Sequence, residues 1–158
     1  MPINNTLNSE LIRITILDIL KSSKASHLGS NMSVVEILMA IYSSIDRDLL
    51  ENKDALRDRV FISKGHCAAA TFAVLHHLNI IDKDTIKNYH LDNSFLAGHV
   101  SHSVAGVEHS TGALGHGIAV ATGAALGFKA HKKNQMVFTL CGDGELHEGS
   151  VWETLLFC

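Results

Sequence analysis

The chain has 158 residues, of which 46% are hydrophobic and 18% are charged, and its formal net charge is −3. This length and composition predict one globular domain with a sizeable core and exclude a disordered chain. The slightly acidic balance provides no basic field for nucleic acid. No apolar run reaches membrane-spanning length, and the polar start MPINNTLNSE does not have the form of a signal peptide. We therefore expect a soluble, cytoplasmic protein.

Three cysteines are present, and none of them forms a CxxC pair. An odd number without metal-ligand spacing favours free thiols in a reducing compartment. We expect Cys67, Cys141 and Cys158 to be reduced and buried, and Cys141 to be inert on a buried strand.

Helical and extended patterns alternate along the chain in the order typical of a parallel α/β fold. Apolar residues at helical spacing predict a first helix over 8–21, capped by Asn8 or Ser9. After a polar connection at 22–31, the residues Ser33 to Glu36 have the form of a capping box, which predicts a helix to about Ser44. The remaining predicted segments are a charged loop with a short helical turn at 45–59, a strand at 60–62, an alanine-rich helix ending near 79 and a short helix at 82–90. They continue with a long loop at 93–115, a Gly- and Ala-rich helix at 115–130, a buried parallel strand at 136–141 and a helix from about 148.

The most informative segment is the Gly142-Asp143-Gly144 turn at the end of the last predicted strand. Ligands of open α/β sheets bind at the carboxyl ends of parallel strands. Glycine lets the backbone approach a charged group, and the Asp143 carboxylate suits magnesium or calcium beside a phosphate. An ordinary tight turn is the alternative. A dinucleotide loop is excluded because His147 stands at its third glycine position, and no Gly-Lys-Ser or Gly-Lys-Thr phosphate loop is present.

Histidine is abundant, with eleven residues, and three of them lie in predicted glycine-containing loops. His66 follows the strand at 60–62 and precedes a helix, where backbone N–H groups favour an anion. Considered alone, it is better explained as a surface histidine near a helix end. His27 and His99, each considered alone, are better explained as solvated loop residues. Together with His66 they indicate a shared polar pocket in which imidazoles exchange protons with hydroxyl groups. Glu148 begins a helix, where a carboxylate is also favoured by the helix dipole.

Four segments in this order resemble the N-terminal, diphosphate-binding part of transketolase, especially the form divided between two subunits. They are SHLGSNMSVVEIL, RDRVFISKGH, GHVSHSVAGVEHSTGALGHG and GDGELHEGSVWE. The resemblance extends from about Ser22 to the end of the chain. It implies an α/β thiamine diphosphate-binding fold, with a parallel sheet flanked by helices and residues 1–158 forming a single, partial domain. The departures from the family pattern are Val100 in place of Pro and His116 in place of Gln.

The resemblance also implies a role for each matching residue. His66, Gly112, Leu114, Gly142, Asp143 and Gly144 would bind thiamine diphosphate. Asp143 would also hold the divalent metal, Mg²⁺ or alternatively Ca²⁺ or Mn²⁺. His27 and His99 would face the sugar and assist proton transfer, and Glu148 would lie near a glutamate network between subunits.

The family reaction transfers a two-carbon ketol unit between sugar phosphates. The resemblance places a further metal-binding Asn, and the pyrimidine-binding domain with its activating glutamate, beyond Cys158. We therefore expect the partner to be a C-terminal pyrimidine-binding transketolase subunit, in a dimer or heterotetramer, and we expect no activity from the isolated chain. The open alternatives are a truncated, non-catalytic interaction module and an unrelated nucleotide-binding domain.

Overall fold

The computed structural model describes residues 7–158. The α-helices are α1 (Ser9–Ser23), α2 (Leu28–Met32), α3 (Val35–Ser43), α4 (Arg47–Glu51), α5 (Ala68–His77), α6 (Lys83–Lys87), α7 (Gly117–Ala130) and α8 (Gly149–Phe157). The strands are β1 (Arg59–Ile62) and β2 (Val137–Leu140), and single 3₁₀ turns span Gly65–Cys67 and Gly144–His147. The predicted fold class, a parallel sheet flanked by helices, is confirmed. No helix within residues 7–158 is long and apolar enough to cross a membrane.

The strands β1 and β2 pair in parallel, with Arg59 opposite Val137 and Ile62 opposite Leu140. The prediction of a fully buried second strand is wrong. Phe138 and Leu140 pack against the core, whereas Thr139 on the opposite face is exposed. Since side chains alternate between the two faces of a strand, β2 is buried on one face only. Both strands end at the same edge of the sheet, which brings the segments after Ile62 and Leu140 together.

The first helix, α1, follows its sequence pattern closely. Asn8 Oδ1 accepts hydrogen bonds from the backbone N–H groups of Glu10 (2.9 Å) and Leu11 (3.1 Å), which confirms the predicted cap. The residues that recur at helical spacing and are buried are Ile12, Ile16, Ile19 and Leu20. Burial of each such side chain contributes roughly 1.5–3 kcal/mol. This apolar face packs α1 onto α5, whose residues Ala68 to Leu75 are all buried.

The predicted capping box at Ser33–Glu36 is wrong. The residue preceding α3 is Val34, which makes no side-chain cap bond, and the Ser33 hydroxyl donates to Ser30 O instead. The reason is α2, which lies within the segment that the sequence predicted as a polar connection. Ser33 ends α2 with helical backbone angles, so it does not adopt the extended conformation of an N-cap. Glu36 instead pairs with Arg13 at 2.8 Å across α1 and α3.

The long predicted loop between α6 and α7 is confirmed and is anchored at two points. Arg57 donates twice to Glu108, with both N–O distances at 2.8 Å, and the Tyr42 hydroxyl donates to Gly106 O at 2.8 Å. The Arg57–Glu108 pair is largely buried, and bidentate geometry makes it stronger than an ordinary surface pair. This loop is therefore held against β1, where its glycine-rich end approaches the strand ends.

The cysteines are free, but only Cys67 is buried. Burial raises the pKa of the Cys67 thiol to about 11, which keeps it protonated and unreactive. Cys141 is half-buried because it follows β2 rather than lying within it, and Cys158 is exposed. The expectation that all three are buried is wrong because β2 and α8 are each covered on one side only.

Candidate functional site

The three loop histidines singled out in the sequence meet at the carboxyl-terminal edge of the sheet. The ring centroid of His27 lies 5.5 Å from that of His66 and 5.8 Å from that of His99. They come from the segment before α2, the 3₁₀ turn after β1 and the long loop. His27 has a left-handed φ of 70°, a conformation that non-glycine residues adopt at specially stabilised positions.

Asn31, which sequence reasoning missed, holds two of these histidines in place. Its side chain is fully buried, and Nδ2 donates to the backbone oxygens of His27 (2.8 Å) and His66 (3.3 Å). Its Oδ1 accepts from Ala70 N at 2.8 Å. The amide therefore joins α2, the turn after β1 and the start of α5. The only signal in the sequence is a polar residue in a segment that must pack closely.

Burial and neighbouring positive charge keep His66 and His99 in their neutral forms. Partial burial lowers the pKa of His66, and Lys64, His27 and His99 lower it further, against an opposing effect of Glu145. Burial also lowers the pKa of His99, with added contributions from His27 and His90. His90 packs against Gly98, the residue before His99, because a Cβ on Gly98 would lie 2.9 Å from His90 Nδ1. A neutral imidazole can either accept or donate a proton, as acid–base chemistry on a hydroxyl requires.

The Gly-Asp-Gly turn lies at the same edge, after β2. Gly142 N donates to Glu145 Oε2 at 2.9 Å, so this N–H is already used within the protein. Asp143 is exposed, and Gly144 has open space where a side chain would stand. Lys64 links this turn to the histidines. It is 6% exposed, its Cβ lies 3.6 Å from the position of a Cβ on Gly142, and it forms no ion pair among residues 7–158.

The STGALG segment forms the third part of the site. Thr111 N donates to Val100 O at 3.1 Å, while Thr111 Oγ1 is buried without a hydrogen-bond partner in the described chain. Gly112 borders open space, and Leu114 is exposed. Close packing joins this segment to the histidines, because a Cβ on Gly65 would overlap Thr111 Oγ1 and lie 3.3 Å from His99 Cδ2.

Glu148 lies beside the STGALG segment rather than within the histidine cluster. It is exposed, it precedes α8 without capping it, and a Cβ on Gly115 would lie 2.8 Å from Glu148 Cβ. Of the histidines left without a role, His102 bonds Ser110 Oγ at 2.7 Å and His116 precedes α7. The structure thus brings together His27, His66 and His99 on one side and the Gly-Asp-Gly turn on the other, joined by Lys64.

Two cavities of about 350 Å³ lie at the opposite end of the strands, around Arg59, Phe128 and Lys133. No group of three or more His, Cys, Asp or Glu side chains within residues 7–158 is arranged to hold a metal ion.

Comparison with known proteins identifies the family. The family model described as the thiamine diphosphate-binding domain of transketolase matches residues 4–157. The chain belongs to the transketolase family. The thiamine diphosphate-binding domain of that family extends over nearly the whole length of this chain.

Relatives of this transketolase domain include two proteins that are each named as one subunit of an apulose-4-phosphate transketolase. The chain is 36% identical to the one from Phocaeicola vulgatus over 151 residues, covering 95% of this chain and 54% of the relative. It is 39% identical to the one from Actinobacillus succinogenes over 140 residues, covering 85% of this chain and 50% of the relative. The transketolase of Pongo abelii is 32% identical over 92% of this chain. The chain thus spans about half the length of the two apulose-4-phosphate transketolase relatives and 24% of that longer transketolase.

Solved transketolases share the same fold. The structure from Campylobacter jejuni superimposes with a TM-score of 0.81 at 28% identity, covering 98% of this chain and 26% of that one. The structure from Leishmania mexicana gives a TM-score of 0.77 at 29% identity, covering 94% of this chain and 24% of that one. The helices, parallel strands and loops described above therefore have the arrangement of a transketolase.

The residues at the strand edge fit a diphosphate group. Gly112 and Gly144 border open space, so the backbone at both positions is accessible to a ligand. Lys64 supplies an unpaired cation, and Thr111 Oγ1 is a buried hydroxyl that lacks a partner in the described chain. Asp143, exposed at the turn, is the hard oxygen ligand that a divalent metal on a diphosphate prefers.

Proposed function

We propose that this chain is the diphosphate-binding subunit of a transketolase that transfers a two-carbon ketol unit between sugar phosphates. The observation that carries the proposal is the meeting of His27, His66 and His99 with the Gly-Asp-Gly turn at one sheet edge. A family domain over residues 4–157 supports it, and supports treating residues 1–158 as one domain. The cytoplasmic location stays a prediction from the sequence.

The diphosphate end of the cofactor is assigned to the hydrogen-bond donors and the carboxylate beside the turn. Lys64 and His66 lie on one side, with the Gly144 backbone and the Asp143 carboxylate on the other. Since Gly142 N already donates to Glu145, Gly142 contributes by close approach of its backbone rather than by this N–H. Asp143 would hold Mg²⁺, or Ca²⁺ or Mn²⁺, together with phosphate oxygens. Gly112 and Leu114 would line the adjoining cleft.

Proton transfer on the sugar is assigned to the histidines. The bound cofactor supplies the electron sink for carbon–carbon bond cleavage. His99, whose pKa burial lowers, is neutral at pH 7 and accepts a proton from a substrate hydroxyl. His27 lies 5.8 Å from His99 between ring centroids, within reach of the same sugar. Glu148, beside Gly115, is assigned to the contact with a second subunit.

A partner subunit completes the proposal. Two relatives that match this chain are named as transketolase subunits, which implies at least one further subunit in those enzymes. The chain supplies one open wall of a site, so a pyrimidine-binding subunit would cover it in a dimer or heterotetramer. The two apulose-4-phosphate transketolase relatives are named for a sugar phosphate, whereas a relative from Clostridium sp., 28% identical over 151 residues, is named as a 6-deoxy-6-sulfo-D-fructose transketolase subunit. We propose a phosphorylated ketose for this chain.

The experiment is thermal unfolding of the chain with thiamine diphosphate, with and without Mg²⁺. A ligand at a hundred times its Kd stabilises the native state by about 2.7 kcal/mol, which raises Tm by roughly 5–10 °C in a domain of this size. Asp143→Ala should abolish the Mg²⁺-dependent part of the shift, because it removes the carboxylate ligand. Asp18→Ala, at an exposed position on α1, is the matched control and should respond as wild type.

Two results would contradict this assignment. No Tm shift in wild type at saturating cofactor and Mg²⁺, alone or with a pyrimidine-binding partner, would favour a non-catalytic interaction module. An unchanged Mg²⁺ response in Asp143→Ala would show that another group holds the metal.

A further inference from the structure

Glu145 is a buried carboxylate that the residue assignments above do not use. It lies in the 3₁₀ turn Gly144–His147 and is 1% exposed. Its Oε1 accepts from the Ser63 hydroxyl and from Gly115 N, the latter at 2.7 Å, and its Oε2 accepts from Gly142 N at 2.9 Å. A carboxylate at such burial is stable only when its oxygens are well paired, and here both oxygens have donors.

The three donors belong to three segments that are far apart in sequence. Ser63 follows β1 and precedes Lys64 and His66. Gly115 ends the STGALG segment, and Gly142 begins the Gly-Asp-Gly turn. Glu145 is 82 residues from Ser63 and 30 from Gly115 along the chain. A single side chain therefore connects every backbone segment to which the diphosphate site has been assigned.

The segments that donate to Glu145 also pack closely against neighbouring residues. Gly115 has φ +79°, and a Cβ there would lie 2.8 Å from Glu148 Cβ. A Cβ on Gly117 would lie 2.7 Å from Ser63 Cα. A Cβ on Gly142 would lie 3.7 Å from Glu145 Cβ. The backbone at Gly117 is thus in direct contact with Ser63, while Gly115 and Gly142 contact side chains beside the carboxylate.

We propose that Glu145 is the positioning residue of the cofactor site. It fixes the STGALG segment and the Gly-Asp-Gly turn against the end of β1. It also turns the N–H groups of Gly115 and Gly142 towards itself, which leaves Gly144, Lys64 and His66 to receive the diphosphate. The part of this inference that concerns cofactor affinity rests on the proposed function, whereas the part that concerns the three segments does not.

The chain has a built-in reporter for this turn. Trp152 is its single tryptophan, and the indole N–H donates to Leu146 O, within the turn that carries Glu145, at 2.9 Å. Movement of the turn should change the environment of Trp152, so its fluorescence spectrum reports on the site without any assay of activity.

The test compares Glu145→Gln with Ser63→Ala and with the control Glu51→Gln. Glutamine keeps one acceptor oxygen but places an NH₂ group against a backbone N–H, so one bond becomes a donor–donor contact. Ser63→Ala removes one donor and leaves the carboxylate paired with both amides, which keeps the test usable if Glu145→Gln does not fold. Glu51 is on α4 with its side chain partly exposed, and within residues 7–158 its carboxylate pairs with Arg47.

The first readout is amide hydrogen exchange of the cofactor-free chain. We expect exchange at 112–118 and 142–147 to accelerate about tenfold in Glu145→Gln, less in Ser63→Ala and not at all in Glu51→Gln. The Trp152 fluorescence spectrum should change in Glu145→Gln only. Exchange in α1 and α5 should stay unchanged in Glu145→Gln. The second readout is the Kd for thiamine diphosphate with Mg²⁺, which should rise about tenfold in the same variant.

Unchanged exchange in both segments would overturn the inference. Faster exchange with an unchanged Kd would also overturn it, because Glu145 would then be structural only. If wild type binds no cofactor, the proposed function fails. In that case, faster exchange of Glu145→Gln confined to 112–118 and 142–147 would still show that Glu145 holds these two segments. Exchange that accelerates equally along the whole chain would refute this.

Discussion

His66 shows how the surroundings of a single residue set its protonation state. The groups facing it are Lys64, His27 and His99, which disfavour its charged form, and Glu145, which favours it. Burial and the first three together lower the pKa, so His66 is neutral at pH 7 in the folded chain. The unfolded chain binds the proton more readily, so this group makes the folded state less stable as pH falls below about 6.5. A bound diphosphate would reverse the balance, because its negative charge favours imidazolium.

We therefore predict that thiamine diphosphate binding is coupled to proton uptake at His66. The affinity should increase as the pH falls from about 8 towards 6, since the complex holds a proton that the free chain does not. Titration calorimetry in two buffers of different ionisation enthalpy measures this uptake directly. His66→Asn should reduce it, and His131→Asn, at the opposite end of the strands, should not. Equal uptake in wild type and His66→Asn would place the coupled proton on the ligand or on another residue.

At the scale of elements, α2 determines the shape of the histidine cluster although it has only five residues. It directs the His27 carbonyl towards Asn31 and Ser30, and it places Asn31 where α5 begins. A five-residue helix has little stability of its own, so the tertiary bonds of Asn31 hold it in place. The position of His27 thus depends on one buried amide.

Asn31→Ala should destabilise the chain by about 1–3 kcal/mol, because it leaves the buried Ala70 N–H without its acceptor. The carbonyls of His27 and His66 lose one donor each but keep the Ser30 hydroxyl. The control is Asn52→Ala, which removes one exposed bond to Asp48 O and should stay within about 0.5 kcal/mol of wild type. Urea unfolding monitored by circular dichroism gives both values. A loss below about 1 kcal/mol for Asn31→Ala would mean that water or another side chain satisfies these groups.

The elements differ in how well the sequence predicted them. The helices α1 and α7, the parallel strands and the Gly-Asp-Gly turn were predictable, because periodicity, capping and glycine placement are local signals. The helix α2 was not, since its residues LGSNM look like a loop and it is held by contacts to α5. Nor could Glu145 be singled out, because its partners are 30 and 82 residues away in the chain. The predicted capping box at Ser33 was wrong because the end of α2 determines the backbone conformation of this residue.

At the scale of the whole molecule, one helix exposes an unusual amount of apolar surface. On α8, Trp152, Leu155 and Leu156 recur at helical spacing and are all exposed, with Leu156 at 88%. Phe157, at the end of the same helix, is 74% exposed. Contiguous apolar surfaces of this kind commonly mark contacts between proteins, because covering them removes apolar area from water.

We predict that the chain in isolation self-associates in a concentration-dependent manner through α8. Leu156→Lys should shift sedimentation velocity profiles towards monomer, because it places a charge on the apolar face. The control is Leu56→Lys, which makes the same chemical change at an exposed leucine outside α8. It should leave the sedimentation profile unchanged. A monomeric wild type at concentrations of about 100 μM would contradict the prediction, since weak specific contacts give Kd values in this range or below.

The pairing of β1 with β2 has a consequence for how the chain folds. Asp58 and Met136, which bond to each other at the start of the two strands, are 78 residues apart. Bringing such distant segments together costs about 4 kcal/mol of loop-closure entropy, whereas α1, α2 and α3 contact one another within the first 43 residues. Local contacts form fast and distant pairings form late. We therefore expect a helical nucleus to form first, with the strand edge that carries the histidines and the Gly-Asp-Gly turn assembling last.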